Sequence, residues 1–118
     1  MRLHLAEVLL ALVFVTGGVL TLRDPRPRAD QLARFHLPAP LLLVRLNGAV
    51  MVVAGLALAL NIMPALASAV LAAVLVPTTI LGHAFWTAEG EARQEQQAHF
   101  VKNLALLGGL IAMTIAAA

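Results

Sequence analysis

Long apolar stretches alternate with short polar ones along this chain, and their lengths predict its secondary structure. Four stretches are apolar almost throughout, namely residues 8–22, 46–63, 65–85 and 104–118. A helix rises about 1.5 Å per residue, so it needs roughly 20 residues to cross the hydrocarbon layer of a membrane. The second and third stretches meet that length, and the first and fourth reach it when residues 3–7 and 99–103 at their ends are included. The pattern predicts helices over residues 4–22, 40–61, 64–87 and 98–117.

The connections between these helices predict how they pack. Residues 61–64 allow only a tight turn, with Pro64 suited to the first position of a helix. Two longer polar segments lie at 23–40 and 87–98, and residues 29–37 have the pattern of a short helix in the membrane interface. Short connections place consecutive helices antiparallel. The expected fold is all-α: a four-helix antiparallel transmembrane bundle, a single domain over residues 1–118, with both termini on one side.

Composition supports a membrane protein and narrows its chemistry. The chain is 61% hydrophobic and 12% charged, whereas a soluble domain of this length needs more polar surface to cover its core. No segment alternates with the period of two that a transmembrane β-strand requires. The chain has no cysteine, so any thiol chemistry has to come from a partner. The net charge is +2, but a chain of this composition has no water-exposed basic surface that could bind nucleic acid. Nucleic acid is therefore not expected as a partner.

The distribution of positive charge predicts an orientation. The side of the two long loops carries Arg23, Arg26, Arg28, Arg34, Arg45, Arg93 and Lys102, and the opposite side carries Arg2. Cytoplasmic loops of membrane proteins are enriched in Lys and Arg. We therefore expect the long loops in the cytoplasm and both termini outside.

Residues spaced three and four apart indicate which helix faces point inward. One stripe in the first helix runs through Glu7, Ala11, Phe14, Gly18 and Thr21, and one in the second through Arg45, Gly48, Val52, Gly55 and Ala59. Small residues let helix backbones approach closely in a membrane. We expect both stripes to line the bundle interior, with Arg45 pointing inward or extending to the headgroups.

Polar and aromatic residues from three predicted helices converge at one depth on the side of the long loops. They are Arg45, Asn47, His83, Trp86, His99, Lys102 and Asn103. Such residues are costly within a membrane and are commonly functional. Cationic and neutral donors together suit an anion or a carbonyl-bearing ring such as a quinone, whose face packs on an aromatic side chain. We take these seven as candidate ligand-binding residues and assign no catalytic residue.

Structural roles also account for these residues one by one. Trp86 is typical of a membrane-interface anchor, and His83 of a hydrogen bond between helices. Arg45 and Lys102 can extend their charged ends to the headgroups. His83 and His99 lack a third ligand at a diagnostic spacing, so no metal site is expected. At the opposite membrane face, Glu7 and His4 are three residues apart and are expected to form an interfacial pair.

Five blocks of the sequence resemble a known family. They are residues 13–18 (VFVTGG), 45–48 (RLNG), 76–79 (VPTT), 82–86 (GHAFW) and 99–109 (HFVKNLALLGG). Together they run nearly end to end and are similar to the DoxX family of small four-helix bacterial membrane proteins, in particular its actinobacterial members. The resemblance implies a multi-pass protein of the bacterial inner membrane, from a group linked to sulfur and quinone redox chemistry and to membrane-attached oxidative-stress complexes. The matching positions include the seven candidate residues.

Two interpretations of function follow, and both stay open. In the first, the chain is an integral membrane subunit of a redox-associated complex that binds a quinone or small anion at the seven-residue cluster and shares the electron chemistry with a partner protein. In the second, it is a non-catalytic scaffold or assembly factor that recruits or stabilises partner proteins. The chain has no nucleotide motif and no haem-type histidine pair, so no cofactor is expected within it, and it is not expected to be an enzyme on its own. A homo-oligomer in the lipid bilayer fits either interpretation.

Overall fold

The computed structural model describes residues 4–82, 86 and 88–118, and the regular structure in this part of the chain is helical. The helices are α1 (His4–Arg23), α2 (Arg26–Ala33), α3 (Pro40–Ala59), α4 (Pro64–Gly82) and α5 (Gly90–Ala117). Among the described residues, α1, α3, α4 and α5 are long and apolar enough to span a membrane. The predicted all-α fold with four membrane-spanning helices is confirmed.

Prolines set the starts of α3 and α4. Each of these helices begins at a proline, whose fixed φ and missing N–H suit the first turn. The turn between them holds Asn61 and Met63 in the left-handed conformation, with φ of 57° and 46°, and asparagine adopts that conformation more readily than most residues. The predicted tight turn that ends at Pro64 is therefore confirmed. The predicted end of the third span, residue 87, lies outside the described residues.

The start of α5 differs from the sequence prediction. The pattern predicts a fourth span from residue 98 after a water-exposed loop, but the helix begins at Gly90, so this boundary is wrong. Residues 91–98 consist of Glu, Ala, Arg and Gln, which are strong helix formers, and they extend the apolar helix without a break. The 28 residues of α5 measure roughly 42 Å, against about 30 Å of hydrocarbon. The first turns of α5 therefore project beyond the membrane.

The short helix α2 lies earlier than the sequence predicts. It spans Arg26–Ala33 rather than residues 29–37. Pro27 in its first turn favours a start there, and a turn that holds His36 in the left-handed conformation (φ 59°) follows its end. α2 packs on α3 and, less extensively, on α4. It therefore lies across the bundle on the side of the long loops.

The four long helices pack in the order α1, α3, α4, α5. The main interfaces join α1 to α3 and α4 to α5, while α3 and α4 share a smaller one and α1 touches α5 only slightly. All four helices contribute to the core, whose largest members include Phe14, Leu58, Leu71, Leu110 and Met113. Many large apolar side chains point outward, as expected for a surface that faces lipid.

Glycines bring the backbones of α1 and α3 into contact. A Cβ built on Gly18 would lie 2.8 Å from the carbonyl oxygen of Gly48 and 2.7 Å from a methyl group of Val52. A Cβ on Gly55 would lie 2.8 Å from a methyl group of Val15. Lipid chains are as apolar as the helices themselves, so helix pairing depends on close van der Waals contact of this kind. Larger side chains at these positions would force α1 and α3 apart.

The inward stripe of α1 follows the sequence prediction in full, and that of α3 follows it in part. On α1, the predicted stripe is buried in full: Glu7, Ala11, Phe14, Gly18 and Thr21. On α3, Gly48 and Gly55 are buried, Val52 and Ala59 are half-buried, and Arg45 is exposed. Arg45 is the sixth residue of α3, so its long side chain can extend to the headgroups.

We expect Gly18→Ala to lower the free energy of unfolding by about 1–3 kcal/mol, because the added methyl group collides with Val52 and the backbone of Gly48. Gly108→Ala is the matched control. A Cβ there meets nothing within 4 Å, and alanine favours a helix over glycine, so stability should be unchanged or higher. Circular dichroism of the purified protein during titration with SDS measures both. Equal effects of the two substitutions would contradict the close contact of α1 and α3.

Candidate functional site

A pocket opens on the side of the long loops, between α2, α3 and α4. It encloses about 230 Å³, below the roughly 300–1,000 Å³ that is usual for small-molecule sites. It is lined by Arg28, Gln31, Leu32, Leu37, Leu43, Val44, Asn47, Pro77, Thr78 and Leu81. The lining is mostly apolar, and each of the three helices adds at least one polar residue. Such a pocket suits a single ring or a headgroup rather than a whole amphiphile.

Asn47 and Thr78 provide the polar groups of α3 and α4. The Thr78 hydroxyl donates to the carbonyl of Val74 at 2.7 Å and lies 3.4 Å from Asn47 Oδ1. A hydroxyl has one hydrogen, so the shorter bond uses it and leaves the Thr78 oxygen as an acceptor. Asn47 Nδ2 lies 3.6 Å from Met51 Sδ, which is a weak acceptor. The Asn47 amide therefore retains donor capacity toward a molecule in the pocket.

Arg28 and Gln31 add donors from α2. They are three residues apart, so they share one face of the helix, and both are half-buried where they line the pocket. Arg28 forms no ion pair with any residue that the structure describes. Its positive charge is therefore available to a ligand on the α2 side of the pocket.

The seven residues that the sequence groups together occupy different places in the structure. Of those described, Asn47 lines the pocket, whereas Arg45, His99 and Lys102 are exposed. Trp86 is 49% exposed and packs edge-on against Phe100, with ring centroids 5.9 Å apart. His83 lies outside the described residues. Trp86 thus contacts an aromatic ring of α5 rather than the pocket.

Asn103, the seventh residue, joins α5 to α4. It is 6% exposed, and its Nδ2 donates to Thr79 Oγ1 at 3.1 Å. The Thr79 hydroxyl in turn donates to the carbonyl of Leu75 at 2.7 Å. Polar side chains buried between membrane helices stabilise their association through such hydrogen bonds. Asn103 therefore has a structural role in this part of the bundle.

Three polar residues of the pocket are not among the seven candidates from the sequence: Arg28, Gln31 and Thr78. The sequence does not reveal Arg28 and Gln31 because α2 begins earlier than its pattern suggests, so a different face of the helix points inward. A signal for Thr78 is present, since it directly follows Pro77 within a predicted span. A proline there frees backbone carbonyl groups, and nearby hydroxyls tend to satisfy them.

Glu7 is buried at the opposite membrane face, with a partner that the sequence does not reveal. It is 3% exposed, and His4 Nδ1 lies 3.8 Å from one carboxylate oxygen. When the Asn61 amide is oriented to satisfy both groups, its Nδ2 lies 3.1 Å and 3.0 Å from the two oxygens. A buried carboxylate requires such donors. Asn61 thereby ties the turn between α3 and α4 to α1.

Comparison with known families shows which group of membrane proteins this bundle belongs to. The DoxX family model matches residues 3–84, a range that includes α1 to α4 and every residue of the pocket. The chain belongs to the DoxX family. The match ends before α5, so the resembling block at residues 99–109 lies beyond it. Searches of the curated proteins and of the solved structures gave no match. Membership of the DoxX family and the four apolar helices establish a multi-pass membrane protein.

In this DoxX-family bundle, we expect Thr79→Val to lower the free energy of unfolding by about 1–3 kcal/mol, because the Asn103 amide loses its acceptor inside the bundle. Ser68→Ala is the control. Ser68 Oγ is buried and has no partner among the described residues, so its removal should leave stability unchanged or raise it. Thermal unfolding in detergent measures both, and a larger loss from Ser68→Ala would contradict the assignment.

A second prediction concerns the Glu7–Asn61 contact. Asn61→Asp keeps a side chain that tolerates the left-handed conformation but places a second carboxylate against Glu7, so it should cost at least about 1 kcal/mol. Adding Glu7→Gln restores an amide–carboxylate pair with the roles exchanged, and we expect it to recover most of the loss. Thermal unfolding of the two single variants and the double variant forms the test. Additive losses would show that the two side chains do not interact.

Proposed function

We propose that this protein is a membrane subunit of a redox-associated complex and that the pocket between α2, α3 and α4 binds the ring of a quinone. The observation that carries the proposal is the Asn47 amide, a donor without a strong acceptor among the described residues, in the wall of a mostly apolar pocket. A quinone ring has two apolar faces and two carbonyl oxygens on opposite edges. Asn47 offers a donor to one oxygen, and Arg28 or Gln31 offers a donor to the other.

The position of the pocket within the bundle suits a ligand that enters from the lipid. Asn47 is the eighth residue of α3, which places it roughly 10 Å along the helix from its start. Leu43 and Val44 on α3 and Leu81 on α4 form apolar walls. The space of about 230 Å³ holds the ring, while an isoprenoid tail would extend along these walls into lipid.

The residues of the pocket would bind the quinone ring, orient it and place a positive charge beside it. Conversion of a quinone to a quinol takes up two electrons and two protons. The electrons would come from a redox centre of a partner protein, and the protons from water on the side of the long loops. The positive charge of Arg28 would stabilise the ring oxygen beside it as that oxygen gains electron density. By the bias of Lys and Arg, the pocket and the long loops would lie on the cytoplasmic side of the bacterial inner membrane.

A scaffold role is the second candidate, and one observation favours it. The first turns of α5 are polar and exposed on nearly all sides. A helix that is polar on all sides has no face to bury in its own bundle and can serve to bridge between domains. On this interpretation, lipid fills the pocket and Asn47 serves only in helix packing.

Binding of quinone analogues to the purified protein in nanodiscs tests the first proposal. We expect saturable binding of a ubiquinone or menaquinone analogue and none of an isoprenoid without the headgroup. Asn47→Leu preserves the volume of the side chain but removes the amide, so it should weaken binding about tenfold, as the loss of one hydrogen bond predicts. Gln97→Leu, the same kind of change at an exposed site on α5, should have no effect.

Two results would contradict quinone binding. One is equal binding of the quinone analogue and the isoprenoid. The other is an Asn47→Leu variant with unchanged affinity and lower thermal stability, which would indicate that the amide serves in packing. Either result would leave the scaffold role as the better account of the protein.

A further inference from the structure

Uncompensated charges of opposite sign lie on the same side of the bundle. Residues 23–45 carry five arginines against two aspartates, and residues 89–95 carry three glutamates against one arginine. Within the part of the chain that the structure describes, Arg26 and Arg34 form no ion pair, and neither do Glu91 and Glu95. These four side chains therefore have no partner of opposite charge among the described residues of their own molecule.

Two of the three glutamates of the acidic patch, Glu91 and Glu95, belong to the part of α5 that projects beyond the membrane, and Glu89 directly precedes the helix. This acidic stalk, residues 90–98, is exposed except for the half-buried Gln96. Glu91 and Glu95 are four residues apart, a spacing at which like charges on a helix repel each other. A positively charged surface placed against this face would relieve the repulsion.

The basic patch is centred on α2. Arg26 and Arg34 are exposed, while Arg28 and Gln31 of the same helix face the pocket. α2 packs on α3 and α4, whereas α5 packs on α4 and, slightly, on α1. The two patches therefore lie over different parts of the bundle, at the same membrane surface.

We infer that the acidic stalk of one molecule docks on the arginine-rich α2 of a second copy of this chain. Copies in one membrane share an orientation, so the stalk of one and α2 of its neighbour lie at the same membrane surface. Charge complementarity then brings Glu91 and Glu95 against Arg26 and Arg34. The contact joins two different surfaces of the chain, so each molecule can bind one neighbour through its stalk and another through α2. Repetition of this contact gives a closed ring or a row of molecules. This inference is independent of quinone binding.

The membrane-spanning part of α5 also lets a second copy of the chain come close. Ala105, Gly108 and Ala112 lie on one exposed face, and a Cβ at Gly108 would meet nothing within 4 Å. A smaller share of α5 is buried than of the other three spans, 17% against 28%. Small residues on an exposed face let a helix of another molecule come close. The surface below the stalk therefore offers no steric obstacle to a second copy.

Disulfide cross-linking in membranes tests the inference, because the native chain contains no cysteine. One copy carries Ala33→Cys on α2 and the other, with a different tag, carries Ala92→Cys on the stalk; both positions are exposed. We expect oxidation to yield a disulfide-linked pair. The control replaces Ala92→Cys by Leu60→Cys, an exposed position at the opposite membrane face, and should yield none.

Charge reversal then decides whether the contact is electrostatic. We expect either of two double substitutions to lower the yield of the disulfide-linked pair at least fivefold. They are Glu91→Lys with Glu95→Lys in the copy that carries Ala92→Cys, and Arg26→Glu with Arg34→Glu in the copy that carries Ala33→Cys. When both copies carry their reversals, opposite charges face each other again and the yield should recover.

Three outcomes would overturn the inference: a yield no higher than that of the Leu60→Cys control, a yield unaffected by either reversal, or no recovery when both are present. The last would indicate that anionic lipid or another protein holds these charges. Circular dichroism checks that each variant is folded. If the reversed stalk variant does not fold, Glu91→Gln with Glu95→Gln replaces it, and if the reversed α2 variant does not fold, Arg26→Gln with Arg34→Gln replaces it. An unchanged yield with either pair would overturn the inference as well.

Discussion

Backbone contact between α1 and α3 fixes the arrangement of the first two spans, because lipid gives helices no hydrophobic reason to associate. Gly18 and Gly48 let the two backbones meet, and Gly55 repeats the approach against Val15. The other spans depend on this pair, since α4 packs on α3 and α5 packs mainly on α4. The slight contact between α1 and α5 leaves much of α5 facing outward.

Two buried polar side chains of the bundle are held by partners from other parts of the chain, and Asn47 is not. Asn103 is satisfied by Thr79 between α4 and α5, and Glu7 by Asn61 at the opposite end. Both contacts join elements that are distant in sequence and stabilise the bundle. Asn47 differs, because its amide faces a pocket and, among the described residues, meets only a sulfur atom and a distant hydroxyl. An amide with spare donor capacity in an apolar wall is the feature expected of a ligand site.

In this DoxX-family protein, the helix α2 would take part in both the quinone pocket and the contact between copies. Its inner face closes the pocket with Arg28, Gln31 and Leu32, and its outer face presents Arg26 and Arg34. One short amphipathic helix would therefore touch both the quinone and a neighbouring copy. The stalk of α5 provides the complementary charge, and it exists because α5 is longer than the membrane is thick.

The sequence by itself determined the membrane class, the four spans and the inward stripe of α1, because hydrophobic length and helical periodicity are local properties of the chain. Blocks such as residues 45–48 and 76–79 also indicated the family. Local pattern failed at the start of α5, where polar residues looked like a loop although they are good helix formers, and at α2, which begins earlier than its pattern suggests. Only the tertiary structure decided which polar residues meet. Asn61 reaches Glu7, Asn103 reaches Thr79, and Asn47 shares a pocket with Arg28, because helix rotation and the path of α2 set those contacts, and neither is encoded in the spacing of residues along one segment.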